Sequence, residues 1–384
     1  MRPEDVSPIQ RPHITHAERG YGAFVPPPLP PQVIFDNQLV NALSAADRAV
    51  GALAGIGKTL PSAYLLAHAL VRREAVLSSR IEGTQTTLSE LALFEVEPYP
   101  REDGSDVAEV FNYVDALKHV LAVDRRLPLS LPLLLEAHKI LMTGVRGGHA
   151  TPGEFRRSQN WIGPPGVLLD QATYVPPPLE RLWECLDAFE KYLHADRTLP
   201  PLMAIACLHY QFEAIHPFID GNGRIGRLLI TLLLVEWGLL PAPLLDLSAY
   251  LEPRRDEYYT RLLAVSMHGD WPGWIEFFLG VVAHQADDAM QRATALQALR
   301  GEYRTQVTSA RASSLLPRLV DALFETPAMT IGRAAELLGV THRSAALNVG
   351  KLVNAGVLTE IKPNGRTRLF LAAEILRVLN GELA

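Results

Sequence analysis

The sequence predicts a mainly α-helical protein that ends in a winged helix-turn-helix domain. Apolar residues recur at intervals of three and four over long stretches of residues 38–237, which is the spacing of one helix face. β-like runs are few and short in this region. After residue 314, three helical stretches lead into two β-like runs joined by the turn sequence KPNGR at residues 362–366, the order expected of a wing.

The 384 residues leave room for more than one domain. Residues 1–31 are polar and then proline-rich, so we expect an extended arm. We expect an N-terminal helical region at 32–125, a helical core at 126–290, a polar connecting helix at 291–314 and the winged-helix domain at 315–384. The predicted helices before residue 240 are Gln38–Leu53, Ser62–Leu77, Asp106–Val123, Leu131–Met142, Leu179–His194, Leu202–Ile215 and Arg224–Trp237.

Composition excludes several classes of protein. The net charge of −6 is not that of a polybasic membrane binder or a nucleic-acid coat. Cys185 and Cys207 lie in apolar helical patterns and are expected to be buried, reduced thiols, which fits the cytoplasm. The N-terminus lacks the apolar segment of a secretory signal, and the apolar run Leu228–Val235 is shorter than the roughly 20 residues of a membrane span.

The segment His216–Arg227, with the sequence HPFIDGNGRIGR, has the composition of a phosphate-binding loop. Pro217 blocks continuation of the preceding helix, and a new helix is predicted to begin near Arg224. Gly221 and Gly223 allow unusual backbone angles and a close approach of a ligand. The unpaired N–H groups at the start of the new helix favour an anion.

The charged side chains of this loop complete a set suited to attack on a nucleotide phosphate. Arg224 and Arg227 share one helical face, and guanidinium groups bind phosphate oxygens through a planar fork. Asp220 is a suitable ligand for Mg²⁺. His216 titrates near neutrality and can take a proton from an attacking hydroxyl. Together these groups can support in-line displacement at phosphorus.

The whole segment resembles the Fic family motif, His-x-Phe-x-Asp/Glu-Gly-Asn-Gly-Arg-x-x-Arg, at every fixed position. The resemblance implies a Fic-type helical bundle that transfers AMP from ATP to hydroxyl groups of target proteins. It implies that His216 is the general base, that Asp220 holds Mg²⁺ and that the Asn222 region binds the α-phosphate. The residues implied in ATP binding are Glu82, Gly221, Asn222, Gly223, Arg224, Ile225, Gly226, Arg227 and, by a looser match, Tyr250.

A second resemblance lies before the motif. The stretch Thr151–Gly163 looks like the segment that precedes the Fic flap, and Ala172–Pro178 (ATYVPPP) looks like the flap itself, a small β-hairpin. Such a flap holds the target peptide by strand addition. The residues implied in target binding are Ala172, Thr173, Tyr174 and Val175.

A candidate inhibitory segment precedes the motif and contains Ser78, Glu82 and Gly83. Ser78 and Glu82 lie on one helical face, and Gly83 fits a helix end, a spacing that an exposed helix terminus also shows. The resemblance to the Fic inhibitory helix implies that Glu82 pairs with Arg227 and competes with the γ-phosphate of ATP. The resemblance also leaves open that Glu82 positions a water and reverses the modification.

The C-terminal module carries a local excess of positive charge. Thr330 is the expected N-cap of its first turn-linked helix, and the helix Thr341–Asn354 would read bases if the domain binds DNA. The basic residues are Arg333, Arg343, Lys351, Lys362, Arg366 and Arg368, against Glu336 and Glu360. A protein-docking or dimerising domain, including a homodimer, is the competing interpretation.

Two alternatives to an adenylyltransferase follow from the same residues. One is a nucleotide-sensing, DNA-binding regulator, and the other is transfer of a different phosphate-containing group. The intact His216 favours an enzyme, because a sensor needs no base. The loop does not name the nucleotide base, so ATP rests on the resemblance alone.

Overall fold

The computed structural model describes residues 3–17, 20–59, 63–96, 104–145, 151–164, 166–308, 315–361 and 367–382. It confirms the mainly helical fold class. The helices are α1 Asn37–Thr59, α2 Ala63–Ile81, α3 Leu88–Val96, α4 Asp106–Leu121, α5 Leu131–Met142, α6 Leu179–His194, α7 Pro201–Ile215, α8 Asn222–Glu236, α9 Ser248–Leu251, α10 Arg255–His268, α11 Trp271–Val307, α12 Leu316–Glu325, α13 Ile331–Leu338, α14 His342–Asn354 and α15 Ala373–Asn380. The strands are β1 Ile14–His16, β2 Gly22–Phe24, β3 Ala328–Thr330, β4 Thr359–Ile361 and β5 Leu369–Leu371.

The core is centred on α7 and α8, which pack against each other and are buried on nearly every side. Their sequences are apolar around the whole helix, as expected for central helices. The predicted bounds of α5 and α6 agree with the structure, and those of α7 differ by one residue. Helix α1 is long and apolar enough to cross a membrane by length and composition alone, and it packs along α11.

Helix α11 differs from the prediction. We expected a connecting helix at 291–314 separate from the core, whereas one continuous helix runs from Trp271 to Val307. Its second half is polar on the surface, yet Arg292 and Leu296 stay buried because α12 and α15 pack against that face. The same helix therefore belongs to both the helical core and the C-terminal domain.

The N-terminal arm is also more ordered than expected. Strands β1 and β2 pair antiparallel, with Ile14 opposite Phe24. Phe24 is fully buried and its ring packs against Tyr174. Gln10 donates a hydrogen bond to the Val265 carbonyl. Strands of three residues are too short for a period-two pattern to be recognised, so composition alone predicted an arm.

The C-terminal elements follow the predicted order of helix, helix-turn-helix and wing. Thr330 caps α13 by accepting a hydrogen bond from the Arg333 backbone N–H. The wing strands β4 and β5 pair antiparallel, and β3, which was not predicted, pairs with the other edge of β5. The predicted turn at 362–366, including Lys362 and Arg366, lies outside the described residues.

A buried set of ion pairs fixes α2 in the middle of the molecule. Arg73 lies 2.5 Å from Asp246 and 3.2 Å from Asp288. Asp288 also pairs with Arg292 on α11, whose Nη1 donates to the Val378 carbonyl of α15. Helix α2 is thereby tied to the core and, through α11, to the C-terminal domain.

Replacing Arg73 by methionine should lower the free energy of unfolding by about 3–5 kcal/mol, because it leaves the buried Asp246 carboxylate without a cation. Urea unfolding measures this change. The double variant Arg73→Met/Asp246→Leu should recover most of the loss, and Arg48→Met on the exposed side of α1 is the matched control. Equal stability of Arg73→Met and the parent would contradict the assignment.

Candidate active site

The loop between α7 and α8 has the backbone of a phosphate site. Gly221 adopts a left-handed conformation (φ 79°) at the N-cap of α8, so the next residues present their N–H groups at the helix start. The Asn222 side chain differs from expectation. Its Oδ1 accepts from the Phe218 N–H and its Nδ2 donates to the Phe218 carbonyl, both at 2.8 Å. Asn222 therefore closes the loop, which leaves the backbone N–H groups at the start of α8 as the candidate anion-binding groups.

Phe218 anchors the loop in the core, as its apolar character predicted. It is fully buried, and its ring stacks on His138 with the centroids 3.8 Å apart. The Gly153 N–H donates to His138 Nδ1 at 3.0 Å, so the proton of this imidazole lies on Nε2. Nε2 then donates to the Asp220 carbonyl at 3.1 Å and fixes the middle of the loop.

The candidate base His216 has the opposite tautomer. Its Nδ1 lies 3.2 Å from the Glu213 carbonyl, which can only accept, so Nδ1 carries the proton. Nε2 is left with its lone pair, as a base requires. Burial lowers the pKa of His216 to about 4, so the ring is neutral at pH 7.

The structure brings Ser78 and Glu82 to Arg227. The buried guanidinium donates from Nε to Ser78 Oγ at 2.8 Å, and from Nη2 to the Ser78 carbonyl at 2.9 Å and to Glu82 Oε1 at 2.6 Å. Gly83 follows the end of α2 with φ 103°, a conformation suited to glycine. Arg224, which shares the helix face with Arg227, lies 3.3 Å from Glu109.

The Glu82 carboxylate lies against the phosphate loop. A Cβ added at Gly223 would overlap Glu82 Oε1 and would lie 3.0 Å from Arg227 Nη1. Burial opposes ionisation of Glu82, but the Arg227 guanidinium outweighs it, and the pKa of Glu82 lies below its ordinary value. An ionised carboxylate therefore occupies the approach to the start of α8.

Three residues near Arg227 were missed by sequence reasoning. Glu213 packs against Gly226, and burial raises the pKa of its carboxyl to about 8. A charged residue in the apolar helix α7 was the available signal. The rings of Tyr258 and Tyr259 pack with their centroids 5.3 Å apart, and the Tyr258 hydroxyl lies 2.7 Å from His209 Nε2.

Tyr250, the predicted nucleotide contact, packs in a cluster of aromatic rings. Its ring packs against Phe277 and His284, and the Arg254 guanidinium lies 4.1 Å from its centroid. A role of Tyr250 in nucleotide binding stays a prediction.

Within the described residues, the predicted flap contains one antiparallel bridge, Ile162 to Tyr174. Tyr174 is buried and its hydroxyl donates to the Ala214 carbonyl at 2.7 Å, which ties the flap to α7. The Val175 carbonyl accepts from the Phe24 N–H of β2 at 2.9 Å. Of the predicted target-binding residues, Ala172 and Thr173 are therefore the accessible ones.

Comparison with known proteins finds two matching family domains and several relatives. Residues 40–122 match the Fic/DOC family N-terminal domain, and residues 128–234 match the Fic/DOC family domain. Over 206 residues, the chain is 30% identical to a relative from Drosophila erecta and 31% identical to one from Drosophila grimshawi, both named protein adenylyltransferase Fic. These matches cover 51% of the chain and 37–38% of the relatives, so the chain matches well under half of their length.

Two solved structures share the fold. A Fic family protein from Desulfovibrio desulfuricans G20 has a TM-score of 0.56 and 22% identity, over 90% of this chain and 98% of that one. A Fic domain containing signaling protein from Bacteroides thetaiotaomicron VPI-5482 has a TM-score of 0.51 and 19% identity, over 67% of this chain and 97% of that one.

Acid should destabilise the fold through its buried imidazoles. Burial lowers the pKa to about 4 for His138 and His216 and to about 3 for His209. The unfolded chain protonates these rings near pH 6.5, before the folded chain does, so it binds more protons between pH 6.5 and 4. The free energy of unfolding should fall over this range by up to about 1.4 kcal/mol per pH unit for each ring.

Urea unfolding at a series of pH values tests this expectation. His209→Gln should flatten the slope, because the glutamine does not titrate. His194→Gln, at an exposed position on α6, should leave the slope unchanged. Parallel slopes for His209→Gln and the parent would sink the linkage argument.

Proposed function

Because residues 40–122 and 128–234 make the chain a member of the Fic/DOC family, we propose that it is a protein adenylyltransferase held inactive by its own helix α2. One observation carries the proposal. The loop has an assembled base and an anion-binding helix start, while its arginine, Arg227, is bound by Ser78 and Glu82. The site is therefore complete in its catalytic groups and blocked at its phosphate clamp.

The proposed reaction is transfer of AMP from ATP to a hydroxyl of a target protein. His216 Nε2 takes the hydroxyl proton as the oxygen attacks the α-phosphorus. The new oxygen–phosphorus bond forms while the bond to the oxygen bridging the α- and β-phosphates breaks, and pyrophosphate leaves. Backbone N–H groups at the start of α8 stabilise the charge that develops on the α-phosphate, and Arg224 and Arg227 hold the leaving pyrophosphate.

Asp220 is the residue that would hold Mg²⁺ beside these phosphates. Its side chain is about half exposed (52%), and a carboxylate oxygen is a ligand that Mg²⁺ prefers. Among the described residues no cluster of three or more His, Cys, Asp or Glu could hold a metal, so phosphate oxygens and water would complete the coordination. The bound ion would neutralise phosphate charge.

Inhibition follows from competition for one cation. The Glu82 carboxylate and the γ-phosphate of ATP are both anions, and the Nη2 that Glu82 holds is a phosphate-binding donor of Arg227. With Glu82 in place, the γ-phosphate loses this contact and the α-phosphate is displaced from the attack geometry. A displacement of about 1 Å can lower the rate on the order of a hundredfold.

Glu82→Gly should raise AMP transfer on the order of 10- to 100-fold, since it frees the Arg227 clamp. The measurement is incorporation of α-labelled ATP into cell-lysate proteins with Mg²⁺, followed by mass spectrometry of the products. Glu82→Gly/His216→Ala should abolish the signal, because the base is gone. Equal incorporation by the parent and Glu82→Gly would disprove the inhibitory role, and no adenylylated product from either would disprove the transferase.

We also propose that the C-terminal domain contacts DNA through α14. Arg343 and Lys351 are exposed on this helix, on the face that also holds the exposed Leu347. Arg368 of the wing instead pairs with Glu360 at 2.7 Å, so it is partly neutralised. Two exposed cations on a helix in this position suit the phosphates flanking a major groove.

A duplex titration tests this second proposal. Binding should be detectable at about 50 mM salt and should weaken steeply by about 200 mM, as phosphate contacts require. Arg343→Ala/Lys351→Ala should reduce both the affinity and the salt dependence. The absence of binding at low salt, or salt-independent binding, would point to a protein partner instead.

A further inference from the structure

We infer that Arg156 and Asn160 are positioning residues for the transfer step, which hold His216 in the orientation of a base. The inference rests on the proposed function, since it concerns the same site. Both residues lie in the segment 155–160, between α5 and the flap. Their bonds to the loop go to backbone carbonyls and not to the groups proposed to bind phosphate. They act on the backbone that carries the imidazole.

The first observation is a strained residue at the catalytic position. His216 has φ 48° and ψ 60°, a left-handed conformation that residues with a Cβ rarely adopt. Such a conformation persists where the surrounding structure holds it in place. At the C-cap of α7, this geometry turns the chain and brings Nδ1 to the Glu213 carbonyl.

The second observation is what holds it. The His216 carbonyl accepts two hydrogen bonds, from Arg156 Nε and from Asn160 Nδ2, both at 3.1 Å. The Arg156 N–H donates to the Pro217 carbonyl at 2.9 Å, and Asn160 Nδ2 donates to the Phe218 carbonyl at 2.7 Å. Two residues therefore bind the carbonyls of three consecutive loop residues.

The third observation is the unusual environment of Arg156. Its side chain is buried, with Nε and Nη2 donating to backbone carbonyls. Within the described part of the chain, Nη1 has no hydrogen-bond partner and no carboxylate pairs with the guanidinium. An unpaired buried cation is unfavourable, and burial lowers the pKa of Arg156 to about 10. A neutral side chain at this position would stabilise the fold better than a buried cation. We therefore attribute the Arg156 guanidinium to a role other than stability.

That role is to span two parts of the site. Arg156 Nη2 donates to the Pro177 carbonyl at the end of the flap at 2.5 Å, while Nε holds His216. Gln159 Nε2 adds a bond to the Pro176 carbonyl at 3.1 Å. The segment thus fixes the distance between the flap, where a target hydroxyl would be presented, and the nitrogen that takes its proton.

Loss of these bonds should affect the chemical step rather than nucleotide binding. Without them His216 can relax to an ordinary conformation, and Nε2 leaves the line of proton transfer. The phosphate contacts lie on α8, which has its own hydrogen bonds to Phe218 and Ser78. We therefore expect kcat to fall while KM for Mg·ATP changes little.

The experiment compares variants of the full chain in the Glu82→Gly background. Arg156→Gln should lower kcat for AMP incorporation on the order of a hundredfold, with KM for Mg·ATP within about threefold. Arg156→Lys should recover part of kcat, since one donor can still reach a carbonyl. Arg157→Gln is the matched control, because the neighbouring Arg157 is exposed and, among the described residues, pairs with Glu154. Its kcat should equal that of the parent.

A second measurement reads His216 directly. NMR of the ¹⁵N-labelled imidazole, assigned with His216→Asn, should show the Nδ1–H tautomer in the parent and a mixture of tautomers in Arg156→Gln. Asn160→Ala should show the same change in milder form, and it serves if Arg156→Gln fails to fold. This readout needs no transfer activity, so it separates the two proposals: an inactive Glu82→Gly parent with a tautomer change in Arg156→Gln sinks the transferase alone. An unchanged tautomer in Asn160→Ala, or losses of kcat and ATP affinity in equal measure, would overturn the positioning role.

Discussion

The buried guanidinium of Arg227 is the contact on which the arrangement of the site depends. A cation with 1% of its side chain exposed needs partners, and the structure supplies them from one short stretch of chain, Ser78 and Glu82. The Ser78 contacts join α2 to α8 deep in the core. The Glu82 side chain is 34% exposed and lies on the solvent side of the guanidinium. The pairing therefore divides into a buried inner part and a partly exposed outer part, and the proposed inhibition requires an anionic ligand to replace only the outer part.

Helix α2 is held at its middle by Arg72 and Arg73, and near its end by the contacts of Ser78 with Arg227. Arg72 binds Glu95 at 2.7 Å and Thr326 of the C-terminal domain at 3.4 Å, and Arg73 binds the buried Asp246. Glu82 comes one residue after the last helical residue. Because Ser78 holds α2 four residues before Glu82, the proposed release of Glu82 from Arg227 requires no displacement of the helix.

The sequence was informative where the signal is local. Periodicity located the central helices, and the fixed spacing of His216–Arg227 predicted a phosphate-binding loop with a candidate base. It could not show that Asn222 closes the loop on Phe218, because this depends on a left-handed backbone at Gly221. Nor could it join residues 155–160 to the carbonyls of the loop, about sixty positions away along the chain. Such contacts follow from the packing of α5, the flap and α7, which no periodic pattern records.

For the two histidines at the loop, the hydrogen-bond partners distinguish the candidate base, whereas the pKa values do not. Burial lowers the pKa of His138 and His216 alike, to about 4, so both are neutral at pH 7. Their partners differ. A backbone N–H donates to Nδ1 of His138 and forces its proton onto Nε2, whereas a carbonyl receives the Nδ1 proton of His216 and leaves Nε2 with a lone pair. Only the second arrangement can accept a proton at Nε2, and the backbone conformation at residue 216 is what creates it.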